Sequence, residues 1–300
     1  MRKTQQNFLN YLSAVERVLQ KIEAAGLALK IDLKPIKELQ ASIRSRELLV
    51  PVVGAFSAGK SSLLNAILGN DVLSVAITPE TAIPTELRHD SRERLQALFT
   101  DGRTEEFRVE ELPQLQARAK ELDCVRLYLN SPALDALAPL VLVDMPGFNS
   151  PLDAHNKAIA RYIGEGALYL FVVSIEEGTL QNTILTHIDQ IAHMGRSFSV
   201  CINKADLRTP SDVEAVCAHI AQRLEDEGLD TKVRAVSQGN TASVQAMLLD
   251  IDPEVLFFNL FQPVLQQEHW ALSGVLKTAL DGLQRDKVDN DKYLEEMAEA

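Results

Sequence analysis

Cysteine is scarce: Cys124, Cys201 and Cys217 are the only three in 300 residues. The number is odd, and the spacings match neither a zinc site nor a redox pair, so buried, reduced thiols are expected. The six histidines, His89, His155, His187, His193, His219 and His269, are scattered without an HExxH pair, and no structural metal is expected from them. No apolar run approaches the length that spans a bilayer. The opening MRKTQQNFLNYL is basic but broken by Gln and Asn, unlike a signal peptide. The expectation is a soluble, cytoplasmic protein whose membrane contact, if any, is peripheral, on the inner face of a membrane. Positive charge is short as well: 30 Lys and Arg stand against 42 Asp and Glu, a formal net charge of −12. A nucleic-acid partner is disfavoured, since it would want a basic face toward the phosphates. Attraction to anionic lipid by overall charge is weakened too. No internal repeat or low-complexity segment is visible. With 46% hydrophobic and 24% charged residues, the chain has the composition of one sizeable core plus an appendage.

Three zones follow. In residues 1–46, Phe8, Leu12, Val15, Leu19 and Ile22 recur at spacings of four and three, the seam of an amphipathic helix. Gly26 is its expected end, and Pro35 is expected to open a second helix reaching Arg46. Residues 47–250 alternate strand and helix signals, with short apolar runs over 48–53, 95–100, 125–129, 140–143, 168–173, 198–202 and 233–236. This predicts an α/β domain with a mostly parallel sheet and helices on both faces, binding ligands beyond the strands' carboxyl ends. Pro51 is awkward, because it falls in a predicted central strand and lacks an N–H. Residues 251–300 read as helical, with Leu272, Leu276, Leu280 and Leu283 as an apolar stripe. The first and third zones each have one apolar face, so they are expected to pack together as a helical neck or bundle. Trp270 and the apolar residues of 255–261 are expected in the core, and Glu176 and Glu177 on a solvated surface. The chain stops inside a charged helical pattern, the expectation for part of a longer protein.

The chemistry sits at strand ends. Gly54-Ala55-Phe56-Ser57-Ala58-Gly59-Lys60-Ser61-Ser62 follows an apolar strand and precedes an apolar-periodic helix, the context of a GxxxxGK[ST] phosphate loop. Its glycines let backbone amides approach phosphates, and the helix behind presents its positive end. Lys60 reaches the β- and γ-phosphates, and the Ser61 hydroxyl is a hard ligand for Mg²⁺. Asp144-Met145-Pro146-Gly147 follows Leu140–Val143. Asp144 suits Mg²⁺ through water, and the Gly147 amide suits the γ-phosphate. Asn203-Lys204-Ala205-Asp206 ends another apolar strand. The Asp206 carboxylate can accept from both N1–H and the amine of guanine, which selects that base, while Lys204 lays its stem along the ring. Ala235-Val236-Ser237 ends a late strand and offers backbone contacts to the base.

In this order, GAFSAGKSS, DMPG and NKAD resemble the GTPase domain of the dynamin family, especially its bacterial members. The stretch Pro79-Glu80-Thr81-Ala82-Ile83-Pro84-Thr85-Glu86-Leu87-Arg88 resembles that family's switch I. The resemblance implies that Thr81 binds Mg²⁺ and the γ-phosphate, with Thr78 and Thr85 as neighbours that could hold the role. It implies that Ser57 helps place a charge-compensating monovalent cation. Lys60 and Asp144 are 144 − 60 = 84 positions apart, longer than a Ras-like domain needs. Phe56 stands where eukaryotic dynamins carry glutamine, and Phe148 follows Gly147, so no Ras-type glutamine is present to orient water.

The reading is therefore a GTP-binding and GTP-hydrolysing protein that couples a GTP-dependent homodimer, formed through the nucleotide face, to membrane remodelling. The alternative is a nucleotide-gated scaffold on a non-membrane protein machine. A ribosome-assembly GTPase would want a basic RNA-binding appendage, which the acidic helical flanks do not supply.

Overall fold

A computed structural model describes residues 2–25, 32–73, 83–116, 118–147, 161–229 and 231–299. The chain divides into two compact units, one of Met1–Arg46 with Phe257–Ala300 and one of Glu47–Leu256.

The first unit is helical. α1 (Lys3–Ala24) buries Gln5, Leu9, Leu12 and Leu19, and α2 (Lys34–Ser45) starts with proline in its first turn and buries Ile36, Leu39, Gln40 and Ile43. The Gln5 amide donates to the Ile43 carbonyl at 2.8 Å, satisfying a group that the end of α2 leaves open. Phe8 lies against Phe257 and Phe258, with ring centroids 6.4 and 5.9 Å apart. These phenylalanines belong to a long C-terminal helix, Pro253–Glu299. Its Phe257, Leu260, Phe261 and Leu265 are buried. The stripe expected at Leu272, Leu276, Leu280 and Leu283 does not stay covered: the first two are half-buried and the last two exposed. Trp270, expected in the core, is 70% exposed. Two positions before Leu272 corresponds to about 200° around a helix, so it points away from the packed seam.

The second unit is a nine-stranded mixed sheet in the order β4-β3-β5-β2-β6-β1-β7-β8-β9. Its strands are β1 (Leu48–Val53), β2 (Thr85–His89), β3 (Arg94–Phe99), β4 (Thr104–Phe107), β5 (Leu122–Leu129), β6 (Leu140–Asp144), β7 (Leu168–Ser174), β8 (Ser197–Asn203) and β9 (Val233–Ala235). β1 and β7 are buried along their whole length, as strands covered on both faces must be, and so read as continuous apolar runs. The ladders β6–β1–β7–β8–β9 are parallel, as is β2–β5, whereas β2 runs antiparallel to β6 and β3 runs antiparallel to β4 and β5. Pro51 is tolerated because β1 pairs with β6 from Leu48 but joins β7 only from Val52.

β2 and β4 were not expected as strands. TELRH contains one large apolar residue and TEEF one, so neither shows a clear apolar alternation. β4 is a short edge strand whose charges discourage further pairing. β2 is interior, and its Glu86 is 2% exposed. That carboxylate is compensated by Arg88 at 2.6 Å, Arg126 at 3.0 Å and the Tyr162 hydroxyl at 2.8 Å. Arg88 also pairs with Glu47, just before β1.

Candidate functional site

β1 delivers the loop 54–59, and α3 (Lys60–Leu68) leaves from it. Two glycines are required on steric grounds. A Cβ at Gly54 would lie 2.1 Å from the Val172 carbonyl oxygen of β7. Gly59 has φ 81°, and a Cβ there would lie 2.6 Å from the Asn203 side-chain nitrogen. Ala58 is buried, Ser57 exposed and Ser62 half-buried.

Lys60 is buried, and its ammonium donates to the carbonyls of Gly54 at 3.1 Å and Ala55 at 2.9 Å. Burial lowers its pKa to about 8, with the nearby Asp144 charge opposing the fall. The Ser61 hydroxyl donates to Asp144 Oδ2 at 2.6 Å. Burial pushes the Asp144 carboxyl upward, against the pull of Ser61 and Lys60. Its Oδ1 is shielded and has no hydrogen-bond partner among the described residues. A serine hydroxyl beside a carboxylate with one idle oxygen is a hard-oxygen donor set, which fits Mg²⁺. Gly147 is buried three residues beyond Asp144. Thr78 and Thr81 lie outside the described residues. Thr85 begins β2, is buried, and spends its hydroxyl on the Ile83 carbonyl at 3.2 Å.

The NKAD tetrad closes onto the loop. The buried Asn203 amide donates to the carbonyls of Ala58 at 3.0 Å and Gly59 at 3.2 Å. Lys204 has φ 62°, the one positive-φ non-glycine among the described residues. Ala205 N–H donates to the Val236 carbonyl at 3.0 Å, which brings the end of β9 beside the tetrad. Ser237 follows, exchanging backbone hydrogen bonds with Asn240. Asp206 is exposed in a helical turn over Ala205–Leu207. The structure thus brings Gly54, Ala58, Gly59, Lys60, Ser61, Asp144, Asn203, Lys204, Asp206 and Ser237 around the carboxyl ends of β1, β6, β8 and β9. Those ends are where an open parallel sheet binds its ligand.

One participant escaped the sequence reading. Glu176, expected on a solvated surface, accepts from the Lys204 ammonium at 2.7 Å. A doubled glutamate at a strand exit carries no signal of a partner 28 positions away.

The dynamin family's model matches residues 50–206. Dynamin-like protein 2 of Campylobacter jejuni is 35% identical over 116 residues, covering 38% of this chain and 19% of that protein. Dynamin-like protein 1 of the same organism is 23% identical over 285 residues, covering 81% of this chain and 38% of that protein. A solved structure of a bacterial dynamin pair, described as oligomerised and as sensing and tethering membranes over long range, matches with a TM-score of 0.57 at 17% identity. That match covers 90% of this chain and 50% of the other. The chain spans half or less of the length of each of these relatives.

Proposed function

The chain belongs to the dynamin family of GTPases, and from that premise we propose that it binds GTP with Mg²⁺, hydrolyses it, and couples the cycle to self-association and membrane remodelling. The observation that carries the nucleotide reading is the pair of hydrogen bonds from Asn203 to the carbonyls of Ala58 and Gly59. They fix the base-reading tetrad against the phosphate loop, so both ends of one nucleotide are held by one rigid corner.

Each residue then has a task. The amides of Ala58, Gly59, Lys60, Ser61 and Ser62 and the close-packed Gly54 cradle the phosphates. Lys60 exchanges its loop carbonyls for β- and γ-phosphate oxygens. Ser61 and Thr81, with Asp144 through water, would hold Mg²⁺, which would supply charge neutralisation at the phosphates. Gly147 donates its amide to the γ-phosphate, and Ser57 assists in placing a monovalent cation near it. Asp206 reads guanine, Lys204 covers the ring, and Ser237 adds backbone contacts to the base. Hydrolysis is in-line attack of water on the γ-phosphate, promoted by charge neutralisation and positioning.

Self-association through the nucleotide face, strongest in the transition state, is part of the proposal. A cytoplasmic protein peripheral on the inner face of a membrane is the matching location. None of the described helices is long and apolar enough to cross a membrane. Two measurements test the whole. Turnover per molecule is expected to rise with protein concentration, with dimers in GDP and aluminium fluoride and monomers in GDP by light scattering. Sedimentation with lipid vesicles is expected to depend on GTP. Concentration-independent turnover by a monomer removes the dimer, and vesicle-independent sedimentation favours the scaffold on a protein machine.

A further inference from the structure

Lys204 sits in a demanding position. Its backbone is left-handed, at φ 62°, a region that a residue with a Cβ adopts only at a cost. The surroundings hold it there: Ala205 N–H is tied to the Val236 carbonyl, and Leu207 N–H to the Lys204 carbonyl at 3.0 Å. Backbone fixation alone does not aim a lysine, because its four-carbon stem keeps its rotamer freedom.

The far end of the stem is also fixed. The ammonium reaches Glu176 Oε2 at 2.7 Å, in the turn Ile175–Glu177 that leaves β7. Glu176 is itself held, since Ser174, buried at the end of β7, donates its hydroxyl to the same Oε2 at 3.1 Å and accepts from Glu176 N–H at 3.3 Å. Lys204 and Ser174 keep the Glu176 carboxyl below the usual glutamate range, so it stays charged. Between its two ends the stem passes Gly59: a Cβ built on that glycine would lie 3.9 Å from Lys204 Cε. The side chain is a strut, anchored at β8 and at β7, lying across the phosphate loop.

We propose that Glu176 is a positioning residue for nucleotide binding, which holds the Lys204 side chain extended so that its stem is ready as a flat platform for the base. The inference rests on the reading of Asn203–Asp206 as the guanine site. Glu176 touches no nucleotide in this scheme. It acts by removing beforehand the disorder that Lys204 would otherwise lose on binding. Lys204 and Glu176 are 32% and 55% exposed, so solvent screens the pair and the effect on affinity is expected to be a few-fold.

The test is a double-mutant cycle read by GDP affinity and release rate, using a fluorescent GDP analogue. Glu176→Ala is expected to weaken binding and speed release about threefold to fivefold. Glu176→Asp, shorter by one methylene but still charged, is expected to recover part of the loss. In a Lys204→Ala background, Glu176→Ala is expected to change nothing further. A purely structural glutamate would act equally with or without Lys204, so equal losses in both backgrounds overturn the proposal. So does unchanged affinity in Glu176→Ala when the unaltered chain binds GDP. An unaltered chain that shows no saturable GDP binding overturns the guanine-site reading, and this inference with it.

Discussion

The Tyr162 hydroxyl donates to the buried Glu86 carboxylate at 2.8 Å, tying the helical turn over 161–165 to strand β2. The phenol is held well above its ordinary pKa by burial and by the acidic groups around it, so it remains a donor. Tyr162→Phe removes one hydrogen bond to a charged acceptor, and Arg88 and Arg126 stay in place. The expected loss is about 1.5–3 kcal/mol. Glu86→Ala leaves two guanidinium groups without their shared partner and is expected to cost about 3–5 kcal/mol. Urea unfolding followed by near-ultraviolet dichroism reads both. A Glu86→Ala variant as stable as Tyr162→Phe would mean that Glu47, which also pairs with Arg88, and water compensate the arginines without penalty.

Lys60 gives a pH dependence with two opposite signs. Its pKa in the folded chain is about 8, against an ordinary 10.5. Between these values the unfolded chain binds more protons, so the nucleotide-free protein gains stability as pH rises through that window. Nucleotide binding goes the other way. Phosphate oxygens favour the charged lysine, so affinity is full below pH 8 and falls as pH climbs above it, with proton uptake on binding. Calorimetry at pH 8.5 in buffers of different ionisation enthalpy measures that uptake directly. Zero uptake would mean Lys60 is already fully charged in the free loop.

Lys60→Ala removes the loop's only cation. GTP affinity is expected to fall by two orders of magnitude or more, on the order of 3 kcal/mol. Near-native affinity by calorimetry would refute the phosphate-loop assignment.

Asp206→Asn changes an acceptor into a mixed donor and acceptor. Xanthine offers a carbonyl where guanine has its amine, so the variant is expected to favour XTP over GTP. Competition between the two nucleotides decides this, and a retained strong preference for GTP would exclude Asp206 as the reader of the base.

Gly59→Ala combines a strained φ of 81° with a methyl 2.6 Å from the Asn203 amide nitrogen. Because that amide bonds both Ala58 and Gly59, the methyl separates the tetrad from the loop. Affinity for GDP is expected to fall at least about tenfold, the equivalent of 1.4 kcal/mol. Unaltered binding would show that the contact between Asn203 and the loop is dispensable.

The sequence made the nucleotide corner legible because each of its motifs is a contiguous string at the end of an apolar run. Gly54–Ser62 after Leu48–Val53, Asp144 after Leu140–Val143 and Asn203 after Phe198–Ile202 all announce themselves locally. Interior charge does not. Glu86 sits in a strand with one large apolar side chain, and its partners Arg126 and Tyr162 are 40 and 76 positions away. Only the fold brings them together, so a polar run with buried compensation looks like a loop. Glu176 is exposed, as expected of it; what the sequence does not announce is its pairing with Lys204, 28 positions away. Trp270 failed differently: an aromatic residue on a helix is expected inside, but Leu265 and Leu272 already occupy the covered face.

The antiparallel meeting of β2 and β6 has a consequence for the main chain at Asp144. Thr85, the first residue of β2, is registered opposite Asp144, the last of β6. One strand begins where the other finishes, so the segment before β2 and the segment after β6 are anchored to the same rung. Any pull on the chain ahead of Thr85 is felt one rung-width from the aspartate, and any shift beyond Asp144 is felt where β2 starts. The main chain beside Asp144 is therefore held by the same ladder rung that fixes where β2 starts.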